Sequence, residues 1–346
     1  MSKKKYTIKD IAKLAGVSKG TVDRVLHNRG KVSQKAYEKV NEVLKKIDYH
    51  PNPIARNLKN NKVYGICVIL PDPEIDPYWG PAQEGIVQAS EEFIPFGVMI
   101  EPYFYHPNEA ASFIEKSKEA LGTNPDAILM APLFQNESLK VLQKCQDEGK
   151  VLASFNNVID RLHNENFIGQ DLFQSGRVAA SLIDKMLPAG KTVGIVHINL
   201  EPHMQQKEKG FKSYFTSHPE KELQIITQDL STEVSTDFET QAIEFIKAHP
   251  ELSALFITNS KAHMLVEVLQ EIGADIIVVG YDLLDENIRH IKKGGIDFLI
   301  HQKPRSQAYL GIGQLADHFL FGKPIPSQKL LPIDVVTSEN LKYYLN

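Results

Sequence analysis

The chain has 346 residues, of which 42% are hydrophobic and 24% are charged, a composition that fits a globular protein of two or three domains. Its two cysteines, Cys67 and Cys145, exclude a disulfide framework and lack metal-ligand spacing, and no apolar run approaches the roughly 20 residues that span a bilayer. The opening MSKKKY lacks the apolar core of a signal peptide, so we expect a cytoplasmic protein with no membrane partner.

The charge of the chain is divided unevenly along its length. Residues 1–62 hold 16 Lys and Arg against 5 Asp and Glu, a net charge of +11, whereas residues 63–346 hold 23 against 38, a net charge of −15. A basic head on an acidic body is typical of a protein whose head binds the phosphate backbone of a nucleic acid.

The basic head begins with the pattern of a helix-turn-helix motif. Thr7 precedes apolar residues at helical spacing and is suited to cap a first helix. Gly16 supplies a tight turn, and Ser18 is suited to cap a second helix, which in such motifs enters the DNA major groove. Ser33 then caps a third helix that we expect to extend to about Asp48.

Residues 51–62, PNPIARNLKNNK, connect this head to the rest of the chain. Two prolines and several asparagines make the segment a poor autonomous helix. Ala55 and Leu58 nevertheless share one face if a short helix forms. The residues alone leave a plain interdomain linker and a hinge element open as alternatives.

From Val63 onward, short apolar runs such as VYGICVIL, DAILMAP and DIIVVGY alternate with helical patterns. Strands without polar alternation, joined by helices, predict parallel sheets that are covered on both faces. About ten such runs are too many for one comfortable sheet, so we predict two α/β subdomains divided near residue 160. The tail after Pro324 predicts one extra strand and a loop.

Polar and aromatic residues follow several of these strands. Asn259, Asp282 and Gln302 each come after an apolar run, at the sheet edge where ligands bind in open α/β folds. Each of them is also compatible with a turn or a helix cap. Tyr78 and Trp79, after the first strand, are suited either to stack on a sugar or to plug a domain edge. Amides and carboxylates beside aromatic rings favour a sugar or a cyclitol over a purine.

The head also carries a more specific signal. AGVSKGTVDRVLHNRGKVS, residues 15–33, followed by NPIARNL, residues 52–58, resembles the head of the lactose-repressor (LacI) family of bacterial transcription regulators. The resemblance extends through most of the chain. It implies an all-α helix-turn-helix headpiece over 1–50, a hinge over 51–62 and, over 63–346, an α/β effector domain of two Rossmann-like, periplasmic-binding-protein-like subdomains. It also implies a homodimer on a double-stranded, palindromic DNA operator.

In this family the chain crosses between the two subdomains three times. We expect the crossings near residues 160, 291 and 325. These give an N-subdomain of about 63–160 and 292–324 and a C-subdomain of about 161–291 and 325–346. A small effector would bind between them, where the carboxyl ends of the strands meet.

The resemblance implies a set of DNA contacts in the head and the hinge. Lys19 stands at a base-reading position, and Arg24 reaches a base edge or a phosphate. Gly20 has no side chain at a position where the family often uses one to read bases. In the family the hinge becomes a helix on specific DNA, and a leucine, here Leu58, wedges between base steps. The expected DNA-binding residues are Thr7, Ser18, Lys19, Gly20, Thr21, Arg24, His27, Ser33, Asn52, Ala55 and Leu58.

The resemblance also implies a set of ligand contacts in the cleft. Asp76 opens a run that stands where the family commonly has an Asn-Pro-Phe-Phe pattern. Lys207 replaces the usual arginine, so the position carries the point charge of an ammonium group instead of a planar guanidinium group with several donors. Asp171 is compatible with a ligand contact and with a helix cap. The expected ligand-binding residues are Asp76, Tyr78, Trp79, Phe155, Asn156, Asp171, Lys207, Asn259, Asp282 and Gln302.

A nucleotide-dependent enzyme is the main rival interpretation, because parallel α/β sheets often carry cofactors. The sequence has no G-x-G-x-x-G after a strand, no G-x-x-x-x-G-K-[ST], no H-E-x-x-H and no G-x-S-x-G. We therefore expect neither an enzyme nor a cofactor or metal site. Two alternatives stay open: a regulator that responds to a purine or phosphorylated metabolite as corepressor, and an architectural DNA-binding dimer without a ligand.

Overall fold

The computed structural model describes residues 6–26, 30–47, 49, 62–159, 166–232 and 237–345. The chain forms two compact units, Met1–Asn61 and Lys62–Asn346, named here the headpiece and the body.

The headpiece contains three described helices, α1 (Ile8–Ala15), α2 (Lys19–Leu26) and α3 (Gln34–Lys46). Their apolar faces enclose one small core, in which Ile11, Val22 and Val40 are completely buried. The third helix ends at Lys46, two residues before the predicted end near Asp48. The helix-turn-helix architecture predicted from the sequence is confirmed.

Side-chain caps start all three described helices of the headpiece. The Thr7 hydroxyl accepts a hydrogen bond from the Asp10 N–H at 3.3 Å, and Asp10 Oδ2 accepts one from the Thr7 N–H at 2.9 Å, which forms a reciprocal capping box. The Ser18 and Ser33 hydroxyls accept from backbone N–H groups at 3.1 and 3.4 Å. Gly16 ends α1 with a φ of 65°, a left-handed conformation that favours glycine.

The Thr7→Ala variant is expected to destabilise α1 by about 1 kcal/mol, because the capping hydroxyl is lost. Thr7→Ser keeps the hydroxyl and is the matched control. Hydrogen exchange of the Asp10 and Ile11 amides in the full-length protein without DNA measures the difference. Equal protection in the two variants would contradict the capping role.

The body contains twelve described strands: β1 (Tyr64–Pro71), β2 (Val98–Tyr105), β3 (Ala127–Met130), β4 (Val151–Phe155), β5 (Phe167–Gly169), β6 (Thr192–Ile198), β7 (Gln224–Leu230), β8 (Leu252–Ile257), β9 (Ile277–Tyr281), β10 (Phe298–His301), β11 (Gln328–Leu330) and β12 (Asp334–Val336). They form two six-stranded sheets, with the orders β11-β5-β4-β3-β1-β2 and β12-β10-β9-β8-β6-β7. The described pairings are parallel except for that of β10 with β12. The predicted pair of parallel-sheet subdomains is thus confirmed, and they are named here the first and second lobes.

Helices cover both faces of each sheet. The described ones are α4 (Gly80–Phe93), α5 (Ala110–Gly122), α6 (Gln135–Asp147), α7 (Leu172–Met186), α8 (Pro202–Thr216), α9 (Phe238–Ala248), α10 (Ala262–Ile272), α11 (Asp285–Lys293) and α12 (Pro304–Phe321). Strand β1 illustrates why the strands lack polar alternation: Ile66 and Val68 pack into the core on one face of the sheet, whereas Cys67 and Ile69 pack into the core on the other. None of the described helices is both long and apolar enough to cross a membrane.

Three crossover segments join the lobes, and they lie later in the chain than the sequence analysis predicts. Strands β5 and β11 belong to the first sheet and β10 belongs to the second, so the crossings follow Gly169, His301 and Leu330 rather than residues 160, 291 and 325. The predicted bounds of 63–160 with 292–324 and of 161–291 with 325–346 are corrected accordingly. An apolar run identifies a strand, but it does not identify the sheet that the strand joins.

The tail after Pro324 also differs from its prediction. It contributes two short strands, β11 to the first sheet and β12 to the second, where the sequence predicts one strand and a loop. Each strand is three residues long, too short for a periodic pattern to distinguish it from a loop.

Candidate functional site

A cleft between the two lobes collects residues from the carboxyl ends of strands in both sheets. Its empty volume is about 460 Å³, which includes open solvent at its mouth. Eight of the ten residues that the sequence assigns to a ligand line this cleft. The lining residues are Asp76, Tyr78, Trp79, Leu133, Asn156, Glu201, His203, Lys207, Asn259, Ser260, Lys261, Asp282 and Gln302.

Two lining residues adopt a backbone conformation that is rare outside glycine. Asn156, directly after β4, has a φ of 66°, and Asp282, directly after β9, has a φ of 62°. Asn and Asp are among the few residues that tolerate this region. Lys303, the neighbour of the lining residue Gln302, has a φ of 59°. Such conformations concentrate at binding sites, and here they mark the cleft-facing edge of both sheets.

Asp282 and Gln302 form a fixed pair in the second lobe. Asp282 is 2% exposed; its Oδ1 accepts from the Gln302 backbone N–H at 2.8 Å, and its Oδ2 accepts from Gln302 Nε2 at 2.6 Å. His301 Nδ1 lies 3.4 Å from Oδ1. A carboxylate has about four acceptor positions, so this pair still presents acceptor capacity to a ligand hydroxyl.

Asn287 also supports this part of the cleft, although it is not among the residues predicted to bind the ligand. It is completely buried on α11, and its Nδ2 donates to the carbonyl oxygens of Ser260, Tyr281 and Asp282 at 2.7, 3.0 and 3.1 Å. Its Oδ1 accepts from the His263 N–H at 2.9 Å. One amide therefore ties together the loops after β8 and β9, which both carry lining residues.

Lys207 on α8 is a completely buried lysine in the wall of the cleft. Its Nζ donates to the Thr258 carbonyl oxygen at 3.0 Å and lies 3.6 Å from the centroid of the Tyr281 ring. Burial lowers the pKa of Lys207 to about 8, although the carboxylates of Asp282 and Glu201 act in the opposite direction. The side chain is therefore mainly charged at neutral pH, but it loses its proton more readily than an exposed lysine.

Two glycines allow α7 and α8 to approach closely beside Lys207. A Cβ on Gly176 of α7 would lie 1.9 Å from the carbonyl oxygen of Lys207, and a Cβ on Gly210 of α8 would lie 1.9 Å from the carbonyl oxygen of Phe173. Both contacts are with backbone atoms, which no change of rotamer can move away. The close crossing of these two helices fixes the backbone position of Lys207.

The first lobe contributes an aromatic and acidic wall. Tyr78 and Trp79 are buried, with ring centroids 5.0 Å apart in an edge-to-face arrangement, and Asn156 Nδ2 donates to the Tyr78 hydroxyl. Burial raises the pKa of the Asp76 carboxyl, and the Tyr78 N–H and the charge of Lys261 offset this only in part. Burial also holds the pKa of the Tyr78 hydroxyl well above its usual value, so it stays a neutral donor and acceptor.

Five lining residues fall outside the predicted set: Leu133, Glu201, His203, Ser260 and Lys261. Burial alone would raise the pKa of Glu201, but His203, 3.3 Å away, and Lys261 hold it below its usual value. Ser260 and Lys261 directly follow Asn259, and Glu201 comes three residues after β6. The rule that picks out strand ends would have found these three if it had been extended by a few residues.

Phe155 and Asp171 do not line the cleft, in contrast to their prediction. Phe155 is the last residue of β4; it is completely buried and packs edge-on against Trp79, with ring centroids 6.0 Å apart. Asp171 caps α7, because its Oδ1 accepts from the Gln174 N–H at 2.8 Å. Core packing and helix capping thus account for both side chains.

The predicted DNA contacts of the headpiece fall on its surface. Lys19, Gly20 and Arg24 are exposed along α2. A Cβ on Gly20 would lie 3.7 Å from the Arg24 guanidinium, which is an ordinary contact, so the position has room for a side chain. Thr7, Ser18, Thr21 and Ser33 lie at or next to the helix N-termini. His27, Asn52, Ala55 and Leu58 lie outside the described residues.

Two protein-family models match the chain. One, described as "Bacterial regulatory proteins, lacI family", matches residues 7–52, and the other, described as "Periplasmic binding protein domain", matches residues 66–324.

The chain is similar to several bacterial regulators, and the matches differ greatly in length. The sucrose operon repressor of Streptococcus mutans is 25% identical over 96% of this chain and 98% of that protein. The HTH-type transcriptional regulator DegA of Bacillus subtilis is 30% identical, but that match spans only 42% of either chain. The chain therefore covers less than half of DegA and nearly all of the sucrose operon repressor.

Solved structures resemble most of the chain. A protein from Bacteroides fragilis assigned as a LacI transcriptional regulator is 26% identical, with a TM-score of 0.76 over 82% of this chain and 100% of that chain. An ABC transporter solute binding protein from Bacillus halodurans, solved with bound myo-inositol, is 17% identical, with a TM-score of 0.69 over 81% of this chain and 96% of that chain. At 17% identity, the second likeness concerns the fold alone.

Proposed function

Since the chain belongs to the lacI family of bacterial regulatory proteins, with a periplasmic binding protein domain after its helix-turn-helix head, we propose that it is a sequence-specific DNA-binding regulator of transcription controlled by a small ligand. The regulator acts as a repressor and as a homodimer on a palindromic operator. It is not an enzyme. The observation that carries the proposal is the convergence of eight predicted residues from both lobes on one cleft.

The DNA-binding part of the proposal is supported by the charge and surface of the headpiece. The net charge of +11 over residues 1–62 suits a phosphate backbone. Lys19 and Arg24 are exposed on α2, where they suit base edges and phosphates of the major groove. The hydroxyls of Thr7 and Ser18, beside helix N-termini, suit phosphate contacts that set the register on DNA.

The ligand part of the proposal is a neutral polyhydroxyl compound, a sugar or a cyclitol. The cleft wall carries three carboxylates, Asp76, Glu201 and Asp282, against two ammonium groups, Lys207 and Lys261. A phosphate group would bring a charge of about −1.5 to −2 next to these carboxylates. Hydroxyl groups donate to carboxylates and accept from lysines, so they suit both. The sucrose operon repressor, similar over nearly its whole length, is named for a sugar operon.

The proposed coupling uses the two-lobed architecture. Tyr78 and Asn156 belong to the first lobe, whereas Lys207 and Asp282 belong to the second. A ligand that bonds to both lobes favours one angle between them, and only a difference in affinity between two lobe angles can shift their populations. We propose that ligand binding causes the protein to release its operator. We also propose that the change in lobe angle acts on DNA through the hinge, which includes Leu58.

The ligand is tested by thermal shift of the full-length protein against monosaccharides, sucrose, myo-inositol, sugar phosphates and purines. A ligand at about 100 times its Kd adds roughly 2.7 kcal/mol to the free energy of unfolding, so a true ligand gives a clear shift. We expect shifts with a sugar or a cyclitol. A response to a sugar phosphate or a purine alone would favour the corepressor alternative. The absence of any response would favour an architectural dimer.

The DNA target is tested by selecting binding sites for the full-length protein from a random duplex library. We expect enrichment of an inverted repeat, and we expect the logarithm of the affinity for it to fall linearly with the logarithm of the salt concentration. A selected pool without a common sequence, or an affinity that is insensitive to salt, would contradict the DNA-binding part of the proposal.

A further inference from the structure

One side chain contacts all three crossover segments that join the lobes. Gln170 lies in the first crossover, directly after β5, and is 2% exposed. Its Nε2 donates to the carbonyl oxygen of His301, the last residue of β10, where the second crossover begins, at 2.9 Å. The same nitrogen donates to the carbonyl oxygen of Pro332, in the third crossover, at 2.8 Å. These bonds join residues that are 131 and 162 positions apart in the chain.

The neighbours of Gln170 determine how its amide is oriented. Carbonyl oxygens only accept hydrogen bonds, so the amide nitrogen must face both of them. The amide oxygen Oε1 is buried and has no hydrogen-bond partner within the described part of the chain. A buried acceptor without a partner is unfavourable. The side chain therefore holds a position that satisfies its two donors and leaves its acceptor unsatisfied.

A single peptide group connects Gln170 to the ligand cleft. The carbonyl oxygen of His301 accepts from Gln170, and the N–H of the same peptide group, which belongs to Gln302, donates to Asp282 Oδ1 at 2.8 Å. Hydrogen bonds at both ends of one peptide group polarise each other. A shift of this peptide group would therefore move the partner of the cleft carboxylate.

An ion pair lies close to the same place. Lys303 Nζ lies 2.6 Å from Asp334 Oδ2, which links the second crossover to the first residue of β12. This pair does not reach the first crossover, whereas Gln170 lies in it. Gln170 thus ties the first crossover to the other two, beside the backbone hydrogen bond from the Leu331 N–H to the Gly169 carbonyl oxygen at 2.8 Å.

We propose that Gln170 is the positioning residue of the interlobe connection. It holds the three crossovers together, which sets the angle between the lobes, and it positions Asp282 through the His301–Gln302 peptide group. The effect on the angle is independent of any ligand. The effect of Gln170 on ligand binding, through the position of Asp282, rests on the proposed function.

The lobe angle is measured by electron–electron double resonance on the full-length protein without ligand or DNA. Nitroxide labels on Lys118→Cys in α5 and on Lys247→Cys in α9 report the distance between the lobes, since both positions are exposed. Cys67 and Cys145 are buried, and burial raises the pKa of each thiol, so they label slowly. An excess of unlabelled protein suppresses distances between subunits.

Two variants of Gln170 are compared with the unsubstituted protein. Gln170→Glu keeps the shape of the side chain and replaces the donor with an acceptor, whereas Gln170→Met keeps its approximate volume and removes both donors. Both are expected to broaden the distance distribution at least about twofold, because the crossovers no longer share one donor. Val141→Ala, which truncates a buried side chain in the core of the first lobe, is the matched control and is expected to leave the width unchanged.

Each outcome bears on the proposal. An unchanged width in both Gln170 variants would overturn it. Equal broadening in Val141→Ala would also overturn it, since general loss of stability would then explain the effect. Failure of both Gln170 variants to fold would assign the residue to folding rather than to alignment. A negative ligand screen leaves the distance result intact, so the proposed function and this proposal can fail separately.

Discussion

In the Asp282→Asn variant, ligand affinity is expected to fall roughly 10- to 150-fold, about 1.5–3 kcal/mol, because a buried charged acceptor is replaced by a neutral one. The substitution keeps the size of the side chain. Asp282 has a φ of 62°, a conformation that Asn also tolerates, so the backbone is preserved. Gln302 donates to both carboxylate oxygens of Asp282, at 2.8 and 2.6 Å. An amide has only one acceptor oxygen, so this pair of hydrogen bonds is lost and ligand binding is weakened further. Binding to the selected operator without ligand is expected to be unchanged.

The measurement is isothermal titration of the full-length protein with the tightest binder from the thermal-shift panel. Asp285→Asn makes the same chemical change three residues away, at an exposed position on α11, and is expected to bind normally. Normal affinity in Asp282→Asn would refute the assignment of this carboxylate to the ligand. An equal loss in both variants would point to a general electrostatic effect rather than a contact.

Many residues that line the cleft can be predicted from the sequence, for one physical reason. In a parallel sheet the carboxyl ends of neighbouring strands meet at the same edge, so a polar residue after each apolar run reaches the same place. Asn156, Asp282 and Gln302 directly follow β4, β9 and β10, and Asn259 follows β8 by two residues. The left-handed φ values of Asn156 and Asp282 also explain why those positions are Asn and Asp.

Other residues could not be predicted from the sequence, because their roles depend on contacts between distant parts of the chain. Asn287 binds the backbone of two different loops, and Gln170 binds carbonyl oxygens 131 and 162 residues away. No local period or spacing marks such a residue. Phe155 does not line the cleft for a related reason, because the last residue of a strand can still face the core. The sheet membership of β5 and β10 was missed because strand pairing is also a long-range property.

Lys207→Met is expected to stabilise the protein while it weakens ligand binding. Burial lowers the pKa of Lys207 from 10.5 to about 8, a shift that corresponds to roughly 3 kcal/mol against the charged form at neutral pH. Methionine fills a similar volume without a charge, but it loses the hydrogen bond to the Thr258 carbonyl, worth about 1–2 kcal/mol. We therefore expect a net gain of about 1–2 kcal/mol in the free energy of unfolding at neutral pH.

The sign of the pH dependence follows from this lowered pKa. Between pH 8 and pH 10.5 the unfolded chain keeps a proton on Lys207 that the folded chain has released. The free energy of unfolding of the unsubstituted protein therefore rises with pH in that window relative to the variant. The stability advantage of Lys207→Met is complete below pH 8 and shrinks toward pH 10. Urea unfolding across this range measures it. Lys209→Met, exposed on the same helix, is expected to show no such change.

This result would bear directly on why the cleft contains a lysine. A buried ammonium group that weakens the fold, on a helix held in place by Gly176 and Gly210, is expected to persist because it contacts the ligand. The same variant is then expected to bind the ligand at least about tenfold more weakly. A more stable variant with normal affinity would remove Lys207 from the ligand site. A less stable variant would mean that the contacts with Thr258 and Tyr281 outweigh the desolvation of the charge, and Lys207 would then be a structural residue.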